Sequence, residues 1–231
     1  MQVDLNFLLK KHYASFFPVV KINKEKDGIH TFDFTINNQQ ISPALIADTN
    51  AFSAYITQQL TANNATYGIG GYNENRVLYK RSTLFDGAQN RSIHLGVDIW
   101  GPVGTKVYAP LGGMVHSFAF NDQFGDYGAT IILQHQLDTV CFYTLYGHLS
   151  LASLHDMRKG KFITRGEAFC SFGNPIENGN WPPHLHFQVI EDIGNYEGDY
   201  PGVCSEPDRA FYLKNCPDAN QLINFDGGVF Y

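Results

Sequence analysis

From about residue 90 onward the chain consists of short apolar runs cut by glycine-rich turns. "TKVYAPLGGMVHSFAF", "GATIILQHQL", "TVCFYTLYGHLS", "KFITRGEAFCSFG" and "HLHFQVI" follow one another at close spacing. "GPVG", "NDQFGDYG" and "GNPIENGNWPP" separate them. Such runs are too short for long helices, and frequent turns bring successive runs side by side. The pattern predicts a compact, mainly β domain with antiparallel strands. Composition agrees: 22 glycines and only 16% charged residues suit turns and strands. Hydrophobic residues, at 44%, supply a sizeable core.

The rest of the chain is organised around that domain. Residues 1–65 predict a small α+β region that forms a separate layer. "IHTFDFTI" alternates like a strand, and "DTNAFSAYITQQLTANN" is the strongest helix. In that helix Phe52, Tyr55, Ile56 and Leu60 share a face, and Asp48 or Thr49 can cap its start. Residues 66–89, rich in Gly and Asn, predict a linker. The β-domain spans 90–195, and the turn-rich segment 196–231 predicts an extension packed on it.

Charge and apolar runs exclude several functions. The net charge of −6 argues against a nucleic-acid binder, which needs cations against phosphates. No apolar run is long enough to span a bilayer. "MQVDLNFLLKKHYASFF" lacks the apolar core and cleavage site of a signal peptide, which predicts a cytoplasmic protein. A start already processed would place it in the periplasm or outside the cell. None of the four cysteines forms a C-x-x-C pair, so a zinc ribbon is not expected. Cys141 and Cys170 read as buried thiols, and Cys204 and Cys216 could pair only in an oxidising compartment.

Three features carry candidate chemistry. In "PPHLHFQVI", strand alternation puts Leu185, Phe187 and Val189 on one side and His184, His186 and Gln188 on the other. In "RSIHLGVDIW", His94 and Asp98 are four apart, which in a straight strand is about 13 Å. Gly96 between them predicts a bend that lets the two converge. In "YTLYGHLS", His148 ends an alternating run and reads first as a strand-end histidine bonded to backbone. H-x-x-x-D and H-x-H are each unspecific alone. Together they offer one carboxylate and four imidazoles. Catalytic zinc takes three N/O ligands and leaves a position for water, so His94, Asp98 and one later histidine would suffice. The other two imidazoles would stand beside the water, where protons move.

"HLGVDIWGPVGTKVYAPLGGMV", "LYGHLS" and "PPHLHFQV", in this order, resemble the catalytic domain of the lysostaphin/LytM-type zinc metallopeptidases. The resemblance covers roughly residues 90–190 and implies an endopeptidase acting on the peptide cross-links of peptidoglycan. It implies one Zn²⁺ per chain, held by His94, Asp98 and His186. It assigns His148 and His184 as the catalytic pair, one moving protons and the other stabilising the oxyanion. Arg91 and Tyr146 are candidate supporting residues. The family fold implied is a compact antiparallel β-sheet or barrel-like domain. The approach "GNPIENGNWPPHLHF" departs from the family's shorter "G-x-S-T-G-P-H-L-H-F", so Trp181 and its loop reshape one wall of the groove. In latent relatives an asparagine from an upstream segment takes the open zinc position, which makes Asn73 and Asn75 candidates.

The expected partner is a peptide or peptidoglycan fragment. Two alternatives stand beside it: a cytosolic zinc amidase or peptidase of small substrates, and a non-catalytic binding module. The second is disfavoured, since all five site residues are present.

Overall fold

The computed structural model describes residues 4–23, 25–81 and 91–223. Residues 82–89 of the expected linker, residue 90 of the expected β-domain and 224–231 of the expected extension lie outside the described residues, as do 1–3. In chain order the elements are α1 (Leu5–His12), β1 (Gly28–Phe32), α2 (Pro43–Ala47), α3 (Thr49–Ala62) and β2 (Ala65–Gly70). Then come β3 (Arg91–His94), β4 (Val97–Trp100), β5 (Lys106–Tyr108), β6 (Gly113–Asn121), β7 (Gly128–Leu137) and β8 (Val140–Leu149). The last are β9 (Phe162–Ile163), β10 (Ala168–Ser171), β11 (His184–Ile190), β12 (Val203–Ser205), α4 (Arg209–Asn215) and α5 (Asn220–Ile223).

One eight-stranded sheet, in the order β1-β2-β4-β11-β8-β7-β6-β9, organises the molecule. Its pairs are antiparallel except β1 with β2. Two small sheets, β5 with β10 and β3 with β12, flank it. The mainly β architecture is the one the short runs predict. The inward residues of β11, Leu185, Phe187 and Val189, enter the main core with Ile131, Leu133, Phe142 and Tyr146. Burying these apolar faces drives the fold, at about 25 cal/mol for each Å² removed from water.

Two expectations change. The first 65 residues are not a separate layer, because β1 joins the main sheet through β2. The "ATYGIG" part of the expected linker is β2, paired to β4 on its other side. Two of its six residues are glycines, yet Ile69 sits beside Ile99 and is buried, so pairing with β4 outweighs the turn-forming composition. The α3 helix starts as expected, with the Asp48 carboxylate accepting from the backbone N–H groups of Asn50 and Ala51. Phe52 and Ile56 bury its inner face. Phe32, Phe34 and Phe52 gather around Trp100 of β4, with ring centroids 5.6–6.1 Å away. The N-terminal region thereby becomes an aromatic buttress against β4. All four cysteines are free; Cys170, Cys204 and Cys216 are buried, whereas Cys141, at the β7–β8 hairpin end, is exposed.

His135 of β7 is buried away from this buttress. Its Nδ1 lies 3.1 Å from the Gly112 carbonyl and its Nε2 2.7 Å from the Thr144 hydroxyl. Burial pushes its pKa from 6.5 down to about 4, against a smaller opposing effect of the Gly112 carbonyl. The folded chain therefore binds fewer protons than the unfolded chain between those values. The resulting stability is fully present above pH 6.5 and is lost as the pH falls through 4, by about 3 kcal/mol for this group. Urea unfolding between pH 7 and pH 4 should show a shallower acid decline for His135→Gln than for the parent chain. Coincident slopes would contradict the burial account.

Candidate metal centre and active site

Sheet register brings the first two site residues together. His186 on β11 stands directly opposite Asp98 on β4, and His184 stands opposite Trp100. Residues opposite one another in a ladder share a face, so the His184–His186 side of β11 meets the Asp98–Trp100 side of β4. His94 arrives by a different route. The chain breaks between β3 and β4 at Leu95–Gly96, and β3 leaves the main sheet to pair with β12. That break turns the His94 ring back over Asp98, with Nε2 3.3 Å from Oδ1. A Cβ on Gly96 would lie 2.7 Å from the His186 ring and from the Phe187 carbonyl, so only glycine permits the turn there.

His94, Asp98 and His186 each offer one ligand atom, and the three atoms lie within 4.8 Å of one another. The proton accounting shows what they can hold. His94 Nδ1 lies 2.8 Å from the Gly71 carbonyl, which can only accept, so the neutral ring carries its proton there and turns an Nε2 lone pair inward. Gln188 Nε2 donates to the Pro201 carbonyl, which turns Gln188 Oε1 toward His186 Nε2 at 2.9 Å. The neutral His186 ring therefore carries its proton on Nε2 and turns an Nδ1 lone pair inward. The two inward nitrogens are 3.0 Å apart. Asp98 Oδ1 lies 3.2 Å from His186 Nδ1, is buried, and has no hydrogen-bond partner. Distances in the ion-pair range thus coexist with an unsatisfied oxygen, because no proton remains to place between the groups.

Three lone-pair donors converging without a proton repel one another unless a cation lies between them. Two imidazoles and a carboxylate form a borderline N/O set that suits Zn²⁺. Burial pushes the His94 pKa down to about 4, assisted by the Arg76 cation, so this ring is neutral near pH 7. Burial alone would raise Asp98, yet His94 and Arg76 hold its carboxyl well below the usual range. With His94 neutral, Arg76 is the cation responsible.

A second imidazole pair faces the same space. His148 Nδ1 lies 2.8 Å from the Asn178 carbonyl, and His184 Nδ1 lies 2.7 Å from the Pro182 carbonyl. Each ring is thus locked with its Nε2 lone pair free for a proton. The two rings are 4.2 Å apart at their centroids, and His184 stacks on Trp100 at 4.0 Å. Burial pushes His184 to about 4 and His148 well below its ordinary value. His148 holds φ +63°, a conformation uncommon for a residue with a Cβ. Asp98, His148, His184 and His186 border a cavity of about 300 Å³, whose walls include Tyr79, Tyr127, Trp181, Tyr196 and Tyr200.

Comparison with known proteins follows from this geometry. The model of Peptidase family M23 matches residues 92–197. That stretch is similar to the M23 peptidases. The family consists of zinc-dependent metallopeptidases. No curated protein matches the chain. Among solved structures, a zinc-containing peptidase from Vibrio cholerae is 27% identical over 44% of this chain and 28% of its own, with a TM-score of 0.34. The lysostaphin catalytic domain from Staphylococcus simulans is 24% identical over 52% of this chain and 80% of its own, with a TM-score of 0.37. A putative M23 peptidase from Pseudomonas aeruginosa is 20% identical over 56% and 43%, with a TM-score of 0.37. The chain therefore spans little more than a quarter of the Vibrio peptidase.

Within the matched stretch the structure gathers His94, Asp98, His148, His184 and His186. Of the two supporting candidates, Tyr146 lies in the core and Arg91 on the cavity wall. Tyr146 pairs with Phe187 in register and packs on Phe169 and Phe187 in the core, its hydroxyl 3.0 Å from Thr144 Oγ1. The positive φ of His148 breaks the alternation, so Tyr146 does not share its face. Arg91 lines the cavity, where its charge offsets part of the rise that burial gives Asp126 and Asp199. The Asn73 side chain accepts from Arg209 Nε rather than turning to the three-ligand cluster. Gln188 shared the histidine face in the sequence and could have been read as an orienting group. Asn178 and Pro182 act through backbone carbonyls, which side-chain identity does not reveal.

Gly96→Ala forces a methyl group into the His186 ring and the Phe187 carbonyl. Thermal or urea unfolding should show it destabilised by roughly 1–3 kcal/mol, the range for overpacking in a rigid core. An unchanged midpoint would mean that the turn has room the structure does not show.

Proposed function

We propose that this chain is a zinc metallopeptidase that hydrolyses peptide bonds in peptidoglycan peptides. The observation that carries the reading is the unpartnered Asp98 Oδ1 between two inward imidazole lone pairs, beside two further imidazoles with free Nε2 atoms. His94 through Nε2, Asp98 through Oδ1 and His186 through Nδ1 would hold the ion. Zinc supplies Lewis acidity there, lowering the pKa of water toward about 7 and polarising a carbonyl. Gly71 and Gln188 fix the outer nitrogens of the two ligand rings, as partners of metal-bound imidazoles commonly do. His184 or His148 accepts a proton at Nε2 and returns it to the departing amine. The other, held in the same tautomer, can donate to the oxygen on which negative charge grows only after its own Nε2 has taken up a proton. Their depressed pKa values keep both rings in the base form near pH 7. The Asn178 and Pro182 carbonyls hold the tautomer through the cycle, and Trp100 fixes the plane of His184.

Aromatic walls on the cavity suit a peptide backbone and its side chains better than a small ion. The match to Peptidase family M23, whose members act on peptidoglycan, supports a wall peptide as substrate. A second reading, a peptidase or amidase of small cytosolic substrates, is favoured by the four free cysteines, which suit a reducing compartment. Among the described residues no helix is long and apolar enough to cross a membrane.

The purified chain should carry one zinc, and a chelator should abolish hydrolysis. Asp98→Ala should lose the metal. His184→Ala should keep it and lose about 10²–10⁴-fold in kcat/KM. Digestion of purified muropeptides, followed by mass spectrometry, should reveal a new amine terminus that chelation prevents. Zinc-loaded chain that leaves muropeptides intact but cleaves small cytosolic peptides would select the second reading.

A further inference from the structure

Arg76 lies outside the residues that match the family, in the "GYNENR" stretch between β2 and β3. It is nevertheless 3% exposed and touches the metal cluster's outer side. Its Nη1 donates to Asp98 Oδ2, the oxygen that does not face the two imidazoles. Its Nη2 reaches the Gly71 carbonyl at 3.3 Å, the same carbonyl that takes the proton of His94. One guanidinium therefore contacts one prospective ligand, Asp98, directly and the outer partner of a second, His94. Its own orientation is fixed: Nε donates to Glu74 Oε2 at 2.6 Å, while Glu74 Oε1 accepts from the Phe34 backbone. The guanidinium carbon sits 5.4 Å from the centre of the Phe34 ring. Gly70, directly opposite Asp98 in the ladder, leaves the space, since a Cβ there would lie 2.6 Å from Arg76 Nη2.

The backbone repeats this attachment. Asn73 N donates to the His94 carbonyl, His94 N to the Glu74 carbonyl, and Arg76 N to the Ser92 carbonyl. The 71–76 segment is thus zipped along the strand that carries His94.

We infer that Arg76 is a positioning residue for the metal centre: it ties up Asp98 Oδ2 so that the carboxylate presents Oδ1 alone. It also sets a fixed positive charge beside that buried carboxylate. A planar fork can hold Asp98, Glu74 and Gly71 at once, whereas a lysine ammonium can match the charge but not the three directions. The inference rests on the metal site proposed above and adds that the segment upstream of the family domain completes it.

The test uses the full chain. Zinc affinity is measured by chelator competition, and the visible spectrum of the cobalt(II)-loaded protein reports coordination number. Arg76→Met should weaken zinc about 10–100-fold, the usual cost of losing a partner behind a ligand. It should also weaken the cobalt bands, as a released Oδ2 lets Asp98 bind through both oxygens. Arg76→Lys should recover part of the affinity but not the parent spectrum. If Arg76→Met does not fold without metal, Glu74→Gln carries the test. It keeps the cation, loosens its anchor, and should alter zinc affinity and spectrum in the same direction. Parent-like zinc affinity and cobalt bands in the folded variants overturn the inference. Absence of zinc from the parent chain removes the metal site itself, whereas zinc in the parent with unaffected variants removes only the role of Arg76.

Discussion

The structure turns on one buried carboxylate. Asp98 sits in β4, an interior strand of the main sheet, with almost no exposure, and a lone charge there would be strongly destabilising. Its two oxygens face two kinds of surroundings. Oδ2 is held by Arg76, and Oδ1 faces two imidazole nitrogens that have no proton to give. The first contact is an ion pair completed within the chain. The second is an arrangement of donors that becomes favourable only with a cation among them. Folding and metal binding are therefore linked at this residue, in the sense that an ion bound to the folded chain alone stabilises it.

The rest of the architecture serves to keep that carboxylate and its neighbours aimed. Antiparallel register sets His186 beside Asp98 and His184 beside Trp100. The inward residues of β11 lock that register, because a slip by one residue would turn Leu185 and Phe187 out of the core. Trp100 passes the rigidity of the N-terminal aromatic cluster to the His184 ring, with Phe34 on one side of it and the imidazole stacked on the other. The "ENGNW" loop does the same for His148. Asn178 gives its carbonyl to the ring and holds Trp181 through both of its side-chain atoms. Positioned this way, both free Nε2 atoms border the cavity without large motion of either strand.

Much of this was legible in the sequence because strand alternation is a strict period of two. His184, His186 and Gln188 had to share a face, and Leu185 and Phe187 had to oppose them. The bend at Gly96 was legible too, since two residues four apart in a strand cannot meet otherwise. Tyr146 was misplaced for the converse reason. Alternation predicts a shared face with His148, but a left-handed backbone at His148 interrupts the alternation near the end of β8 and turns its ring. Arg76 was hidden by composition: it stands in a Gly/Asn-rich stretch that reads as a linker, and only the pairing of β2 with β4 brings it over Asp98. The carbonyls of Gly71, Asn178 and Pro182 carry no side-chain signature, so the features that fix the tautomers emerge only from the fold.

The central claim is that His94, Asp98 and His186 alone among the protein's side chains bind the zinc, leaving His148 and His184 free to move protons. Zinc K-edge X-ray absorption on the zinc-loaded chain tests it directly. The account predicts scattering from two imidazoles with oxygen in the remaining positions and no sulfur. A shell with three or four imidazoles, or with any sulfur from the cysteines, would contradict it.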